Sequence, residues 1–151
     1  MLHVALWEPE IPPNTGNIGR LCAATGATLH LIGRLGFRLD NRSLRRAGLD
    51  YWEHLELHRH ATFADFEAAL AGARIFCFSA RAGKLYTEVR YQPDDCLLFG
   101  RESHGLPPGI LERNPDRALR IPMPTDHARS LNLATAVGIA LYEALRQLHS
   151  W

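Results

Sequence analysis

The stretch from Ile121 to Asn132, with Pro122 and Pro124 near its start, leads directly into the run Leu133–Tyr142 and constrains this chain more than any other segment. The two prolines forbid helix and remove two backbone donors, so the chain must stay extended or turned after Ile121. Ser130 and Asn132 are capping residue types set just ahead of an apolar-periodic run. Leu133, Val137, Leu141, Ala144 and Leu148 then recur at helical spacing on one face. Ala134, Ala136, Gly138 and Ala140 keep that helix slim, so other backbone can approach it closely. The segment predicts a strand end, a polar loop and a long core helix. Such units recur in any α/β domain, and the polar loop here is also a place for a small molecule.

The remainder alternates in the same way. Apolar runs at Leu2–Trp7, Thr28–Ile32, Leu55–His58, Arg74–Ser79, Cys96–Phe99 and Leu119–Ile121 read as strands, with a short extended piece at Leu85–Tyr86. Between them lie helices at Ile18–Thr25, closed by Gly26, and from Thr62, with its capping-box character, to Ala71. A short helix follows Leu106 and runs through Arg113, and Asn41 or Ser43 caps another that carries Arg42, Arg45 and Arg46. This order predicts an α/β fold, a mostly parallel sheet with helices on both faces. No linker, repeat or low-complexity segment divides the chain, so residues 1–151 form a single domain with room for one full core.

Ligands in such sheets sit at the carboxyl ends of strands. Three segments that leave strand ends carry ligand-like chemistry: Asn14 to Arg20, Gly100 to Gly105, and Met123 to Asn132. If their strands are neighbours, one pocket contains Asn14, Arg20, Glu102, Ser130 and Asn132. The first segment, read as a loop opening a helix, presents free backbone N–H groups to an anion. Ser103-His104 does not make a nucleophile elbow, because the preceding glycine of G-x-S-x-G is one residue too far away. Neither a dinucleotide fingerprint nor a P-loop is present. His54, His58 and His60 have no carboxylate or thiol in register, so no metal is expected and the histidines decorate a strand and turn.

Charge adds a second surface. The net charge is only +1, yet of 17 basic residues Lys84 alone is lysine, a bias that suits bidentate phosphate contacts. Arg34, Arg38, Arg42, Arg45 and Arg46 face one acid, Asp40, a local excess of four charges that leaves the rest of the chain net negative. With Phe37, Tyr51 and Trp52 close by, Arg42, Arg45 and Arg46 form a candidate RNA-contact patch. Cys22, Cys77 and Cys96 lie in separate apolar segments without metal or redox spacing and are expected as reduced core thiols. No apolar run is long enough to cross a bilayer, so no membrane partner is expected and the cytoplasm is the default location.

Three ordered stretches carry a family resemblance: Glu8–Asn17 with Arg20, Leu98–Leu106 (LFGRESHGL), and Ile121–Met123 with Ser130–Leu133. Arg45–Tyr51 adds a fourth. Together they resemble the SPOUT-class RNA 2′-O-methyltransferases, and within them the minimal TrmL/YibK-like branch acting on the tRNA wobble nucleotide. The resemblance implies a C-terminal trefoil knot, a homodimer, and S-adenosylmethionine held around Phe78, Gly100, Ile121 and Met123 with Ser130 nearby. It also implies catalytic roles for Arg20, Asn14, Glu102, Ser130 and Asn132, with tRNA as partner and no metal. A guanidinium stays protonated at neutral pH, so Arg20 is expected to orient the ribose hydroxyl and stabilise developing negative charge. Rival readings are a non-catalytic RNA-binding module on the same fold, or a ribose methyltransferase with another RNA target. A binding module needs the basic patch but not the pocket residues.

Overall fold

The computed structural model describes residues 1–39 and 50–151. The expected helix bearing Arg42, Arg45 and Arg46 lies outside the described residues. Seven strands form one sheet: β1 (His3–Trp7), β2 (Thr28–Ile32), β3 (Leu57–His60), β4 (Ile75–Phe78), β5 (Lys84–Leu85), β6 (Cys96–Phe99) and β7 (Ala118–Arg120). Their order is β3-β2-β1-β6-β4-β7-β5, and every pairing between named strands is parallel. The α-helices among the described residues are α1 (Pro12–Thr25), α2 (Phe63–Ala69), α3 (Pro108–Arg113) and α4 (Leu133–His149).

Alternation along the strands gives the sheet two apolar faces. Val4, Leu6, Leu97 and Phe99 join Ile18 and Cys22 of α1 and Val137, Leu141 and Ala144 of α4 in one core. Ala5, Cys96 and Leu98 point the other way, onto Phe66 of α2 and the Ile110 and Leu111 side chains of α3. Helices therefore cover both faces, as the alternating sequence pattern predicts. Cys22, Cys77 and Cys96 are all free and buried in these two cores. Burial pushes the Cys22 thiol up to about 12 and the Cys77 thiol to about 11.

Three elements depart from the sequence reading. α1 begins at Pro12, so Asn14–Asn17 lie in its first turns rather than in a loop. Prolines fit there because the first helical positions have no intrahelical acceptor for their N–H groups. β3 lies two residues later than its expected Leu55–His58, placed by pairing of Leu29 with Leu57 and Ile32 with His60. The extended piece at Leu85 pairs from Lys84 as edge strand β5 against β7, and Tyr86–Glu88 then turns as a 3-10 helix. A second 3-10 turn, Asp50–His54, supports α1: the Tyr51 hydroxyl donates to the Gly16 carbonyl, and Trp52 packs 3.0 Å from where a Cβ on Gly19 would lie.

Candidate active site

Strands β6, β4 and β7 are neighbours, so the segments leaving their carboxyl ends meet. They enclose an open cavity of about 980 Å³. Phe78 and Ser79 contribute from the end of β4, Gly100 to Leu106 from the end of β6, and Ile121 and Met123 from the end of β7. Ser130, Asn132 and Leu133 close it at the start of α4, and Ile11 and Asn14 at the start of α1. Phe78 stacks on Phe99 at 4.5 Å with a 15° interplanar angle, giving the floor a flat aromatic pair.

The wall between α1 and α4 is a directional hydrogen-bond chain. Asn132 is the N-cap of α4, its Oδ1 accepting from the Thr135 backbone N–H at 3.1 Å. That fixes its amide so that Nδ2 donates to Asn14 Oδ1 at 3.0 Å. Asn14 Nδ2 in turn donates to Glu102 Oε2 at 3.4 Å. The Glu102 carboxylate also accepts from the backbone N–H groups of Glu10 (3.0 Å) and Ile11 (2.7 Å). A negative group at the start of α1 is favourable for the helix dipole, and here the protein supplies its own. The expected anion site at this helix start is therefore filled internally by Glu102.

The Gly100–Gly105 loop is tight. Arg101 and Gly105 exchange backbone hydrogen bonds, and Gly105 sits at φ 68. A Cβ on Gly100 would lie 2.0 Å from the Gly105 carbonyl carbon and 2.1 Å from the Leu106 nitrogen, so only glycine fits. The loop is clamped to the β1–α1 connection. Glu10 Oε1 accepts from both the Ser103 hydroxyl (2.6 Å) and the Ser103 N–H (3.0 Å), and these bonds hold the Glu10 carboxyl below its usual range. Arg101 Nη1 lies 3.4 Å from Glu8 Oε1, and its Nε 3.7 Å from Glu10 Oε1. Since the Ser103 proton goes to Glu10, the 2.6 Å contact between Ser103 Oγ and His104 Nδ1 has the histidine as donor. His104 therefore cannot take a proton from Ser103 through that nitrogen, and the pair is a clamp rather than a nucleophile and base.

Of the five residues expected to share one pocket, Asn14, Glu102, Ser130 and Asn132 line the cavity, and Arg20 does not. All five expected cofactor contacts, Phe78, Gly100, Ile121, Met123 and Ser130, line it as well. The correction at Arg20 follows from α1 starting at Pro12. Six helical residues beyond Asn14 turn Arg20 about 120° around the axis. It stands with Pro13, Asn17 and Ala24 on the exposed stripe of α1 and makes no ion pair or hydrogen bond among the described residues. Sequence reasoning missed Arg81, Arg129 and Glu112, which also line the cavity. Arg81 carries no motif, and Arg129 lies in a loop whose residues follow no pattern that assigns them a role. Among the described residues, no group of three His, Cys, Asp or Glu is placed to hold a metal ion.

The model of the SpoU rRNA methylase family matches residues 1–142. This chain belongs to that family. A relative, the tRNA (cytidine(34)-2′-O)-methyltransferase of Escherichia coli K12, is 48% identical over 149 residues, covering 98% of this chain and 94% of its own. A solved structure concerned with 2′-OH methylation of C/U34 on tRNA superimposes with a TM-score of 0.94 at 55% identity, covering 100% of this chain and 98% of the other. The AdoMet-bound rRNA methyltransferase of Sinorhizobium meliloti superimposes at 0.84 with 31% identity, over 97% of this chain and 56% of that one. Membership in the SpoU family accords with the parallel sheet and with the cavity at its carboxyl edge.

Proposed function

We propose that this SpoU-family chain, residues 1–151 acting as one SPOUT domain, transfers a methyl group from S-adenosylmethionine to the ribose 2′-oxygen of the wobble nucleotide, a cytidine or modified uridine, of tRNA in the cytoplasm. One observation carries the reading: the Asn132–Asn14–Glu102 chain forms a wall of a cavity large enough for a nucleoside-sized ligand. The named relatives supply the reaction and the RNA.

The cavity fits the methyl donor. Phe78, Leu106, Ile121, Met123 and Leu133 give it an apolar lining for a purine, and the close turn at Gly100 keeps side chains out of the β6 edge. When bound, S-adenosylmethionine supplies an already activated sulfonium methyl, so the protein's tasks are alignment and removal of one proton. Ser130 and the backbone edges at Gly100, Ile121 and Met123 hold the donor. The Asn132 and Asn14 amides, locked by Thr135 and Glu102, are rigid polar groups against which a ribose is oriented. We also assign the trefoil knot to the segments 100–106 and 121–132, which both border the cavity.

Arg20 retains its role as the group that orients the hydroxyl and stabilises the developing oxyanion. Because it does not line the cavity of its own chain, that role rests on the homodimer, in which the exposed stripe of α1 faces the cavity of a second copy. The exposed Ile11 at the start of α1 and the exposed Tyr142 on α4, the helix packed against it, support such a contact.

The direct test is to incubate the protein with labelled methyl donor and unmodified tRNAs, then map the modified nucleotide. Methyl transfer at a base, or none to any RNA, would overturn the assignment. Arg20→Ala should abolish transfer with donor binding retained. Mixed and re-equilibrated with an equally inactive Asn132→Ala, it should regain part of the activity, because a mixed dimer keeps one complete site. No recovery would remove Arg20 from the partner's cavity.

A further inference from the structure

Arg81 and Arg129 reach the same cavity from different loops, the first after β4 and the second just before α4. Both are exposed, and neither guanidinium has an ion pair or hydrogen bond among the described residues. Other arginines of this protein are engaged: Arg74 with Asp95, Arg101 with Glu8, Arg113 with Glu67, Arg146 with Glu143, and Arg120 with the Ala82 carbonyl. The carboxylates lining the cavity are Glu102, held by backbone N–H groups, and Glu112, and neither forms an ion pair with Arg81 or Arg129. The mouth therefore presents two guanidiniums that pair with no carboxylate among the described residues.

From this we infer that Arg81 and Arg129 form a clamp for the phosphodiesters flanking the target ribose. The inference rests on the proposed RNA methylation and names what that site grips. Two features favour a polyanion over the carboxylate of the methyl donor. Both arginines stand in solvent at the rim, whereas a single carboxylate is satisfied by one guanidinium bidentately. The cavity, about 980 Å³, is also at the top of the range of about 300–1,000 Å³ for single-ligand sites, leaving space beside the donor for a nucleotide. Phosphate contacts of this kind set register without reading sequence, which is what holding one sugar in line requires.

The test uses Arg81→Gln, Arg129→Gln and the double variant. Binding of an anticodon stem-loop RNA is measured across salt concentration, and binding of S-adenosylmethionine is measured separately by calorimetry. Each substitution should lower the slope of log K against log salt by about 0.7, the change expected when a protein neutralises one phosphate fewer on a single strand, with donor affinity unchanged. Replacing the two linkages around the target nucleotide by neutral methylphosphonates should bring the wild-type slope down to that of the double variant. Loss of donor affinity with an unchanged RNA slope would assign the arginines to the cofactor carboxylate and overturn the clamp. Methylation by wild type, with slopes unaltered in the variants, would overturn the clamp alone. An arginine-dependent slope without methyl transfer would keep the clamp and sink the enzymatic reading. Absence of RNA binding by wild type would overturn both.

Discussion

His30 sits near the middle of β2, 3% exposed, with both ring nitrogens engaged: Nε2 with His3 Nδ1 and Nδ1 with His60 Nε2, each at 2.9 Å. Burial first, then the neighbouring histidines, push its pKa down to about 3, and a neutral ring with one donor and one acceptor suits this chain of rings. The sign of the pH effect follows. The unfolded chain protonates His30 near the ordinary value of 6.5 while the folded chain does not, so stability falls as pH drops below 6.5 toward 3. His3 and His60, whose pKa values are also lowered by burial, add in the same direction. Urea unfolding between pH 4 and 7 should show this limb in the wild type and a shallower one in His30→Gln; equal slopes would remove the histidine chain as its cause. Single residues were unevenly legible in the sequence. Asn132 advertised itself as a cap through its type and position, whereas the engagement of His30 with rings 27 and 30 positions away left no local trace.

Among elements, the β6 turn is the least tolerant. Gly100→Ala would place a methyl group 2.0 Å from main-chain atoms of Gly105, which cannot swing aside as a side chain could. The expected cost is about 1–3 kcal/mol of stability, as for an overpacked core. Donor affinity should fall with it, because the displaced loop carries Glu102 away from α1. Calorimetry on the variant checks this, and wild-type donor affinity would show that the loop has slack. The strands and α4 could be read from apolar periodicity because that pattern is local. The start of α1 could not: Pro12 and Pro13 look like breakers, yet they occupy two of the first positions, where a helix needs no donor. That shift is also why Arg20 faces outward rather than into the cavity. The position of β3 was likewise set by its partner strand, not by its own residues.

At the scale of the molecule, α4 is the keystone of the larger core. Val137, Ala140, Leu141 and Ala144 are fully buried against α1 and the sheet. A chain ending at Asn132 would open that core and lose the Thr135 N–H that fixes the Asn132 amide against Asn14. Such a truncation should show no cooperative thermal transition; a sharp one would mean the sheet folds without α4. The fold class was visible from the order of apolar runs, but which strands become neighbours was not, because adjacency in the sheet depends on contacts across most of the chain. The bond between Asn132 and Asn14 joins positions 118 residues apart. During synthesis on the ribosome, a growing polypeptide thus has no closed cavity until α4 has emerged and docked. Fragments released before α4, or cut within it, would lack the cavity on which the proposed methyl transfer depends.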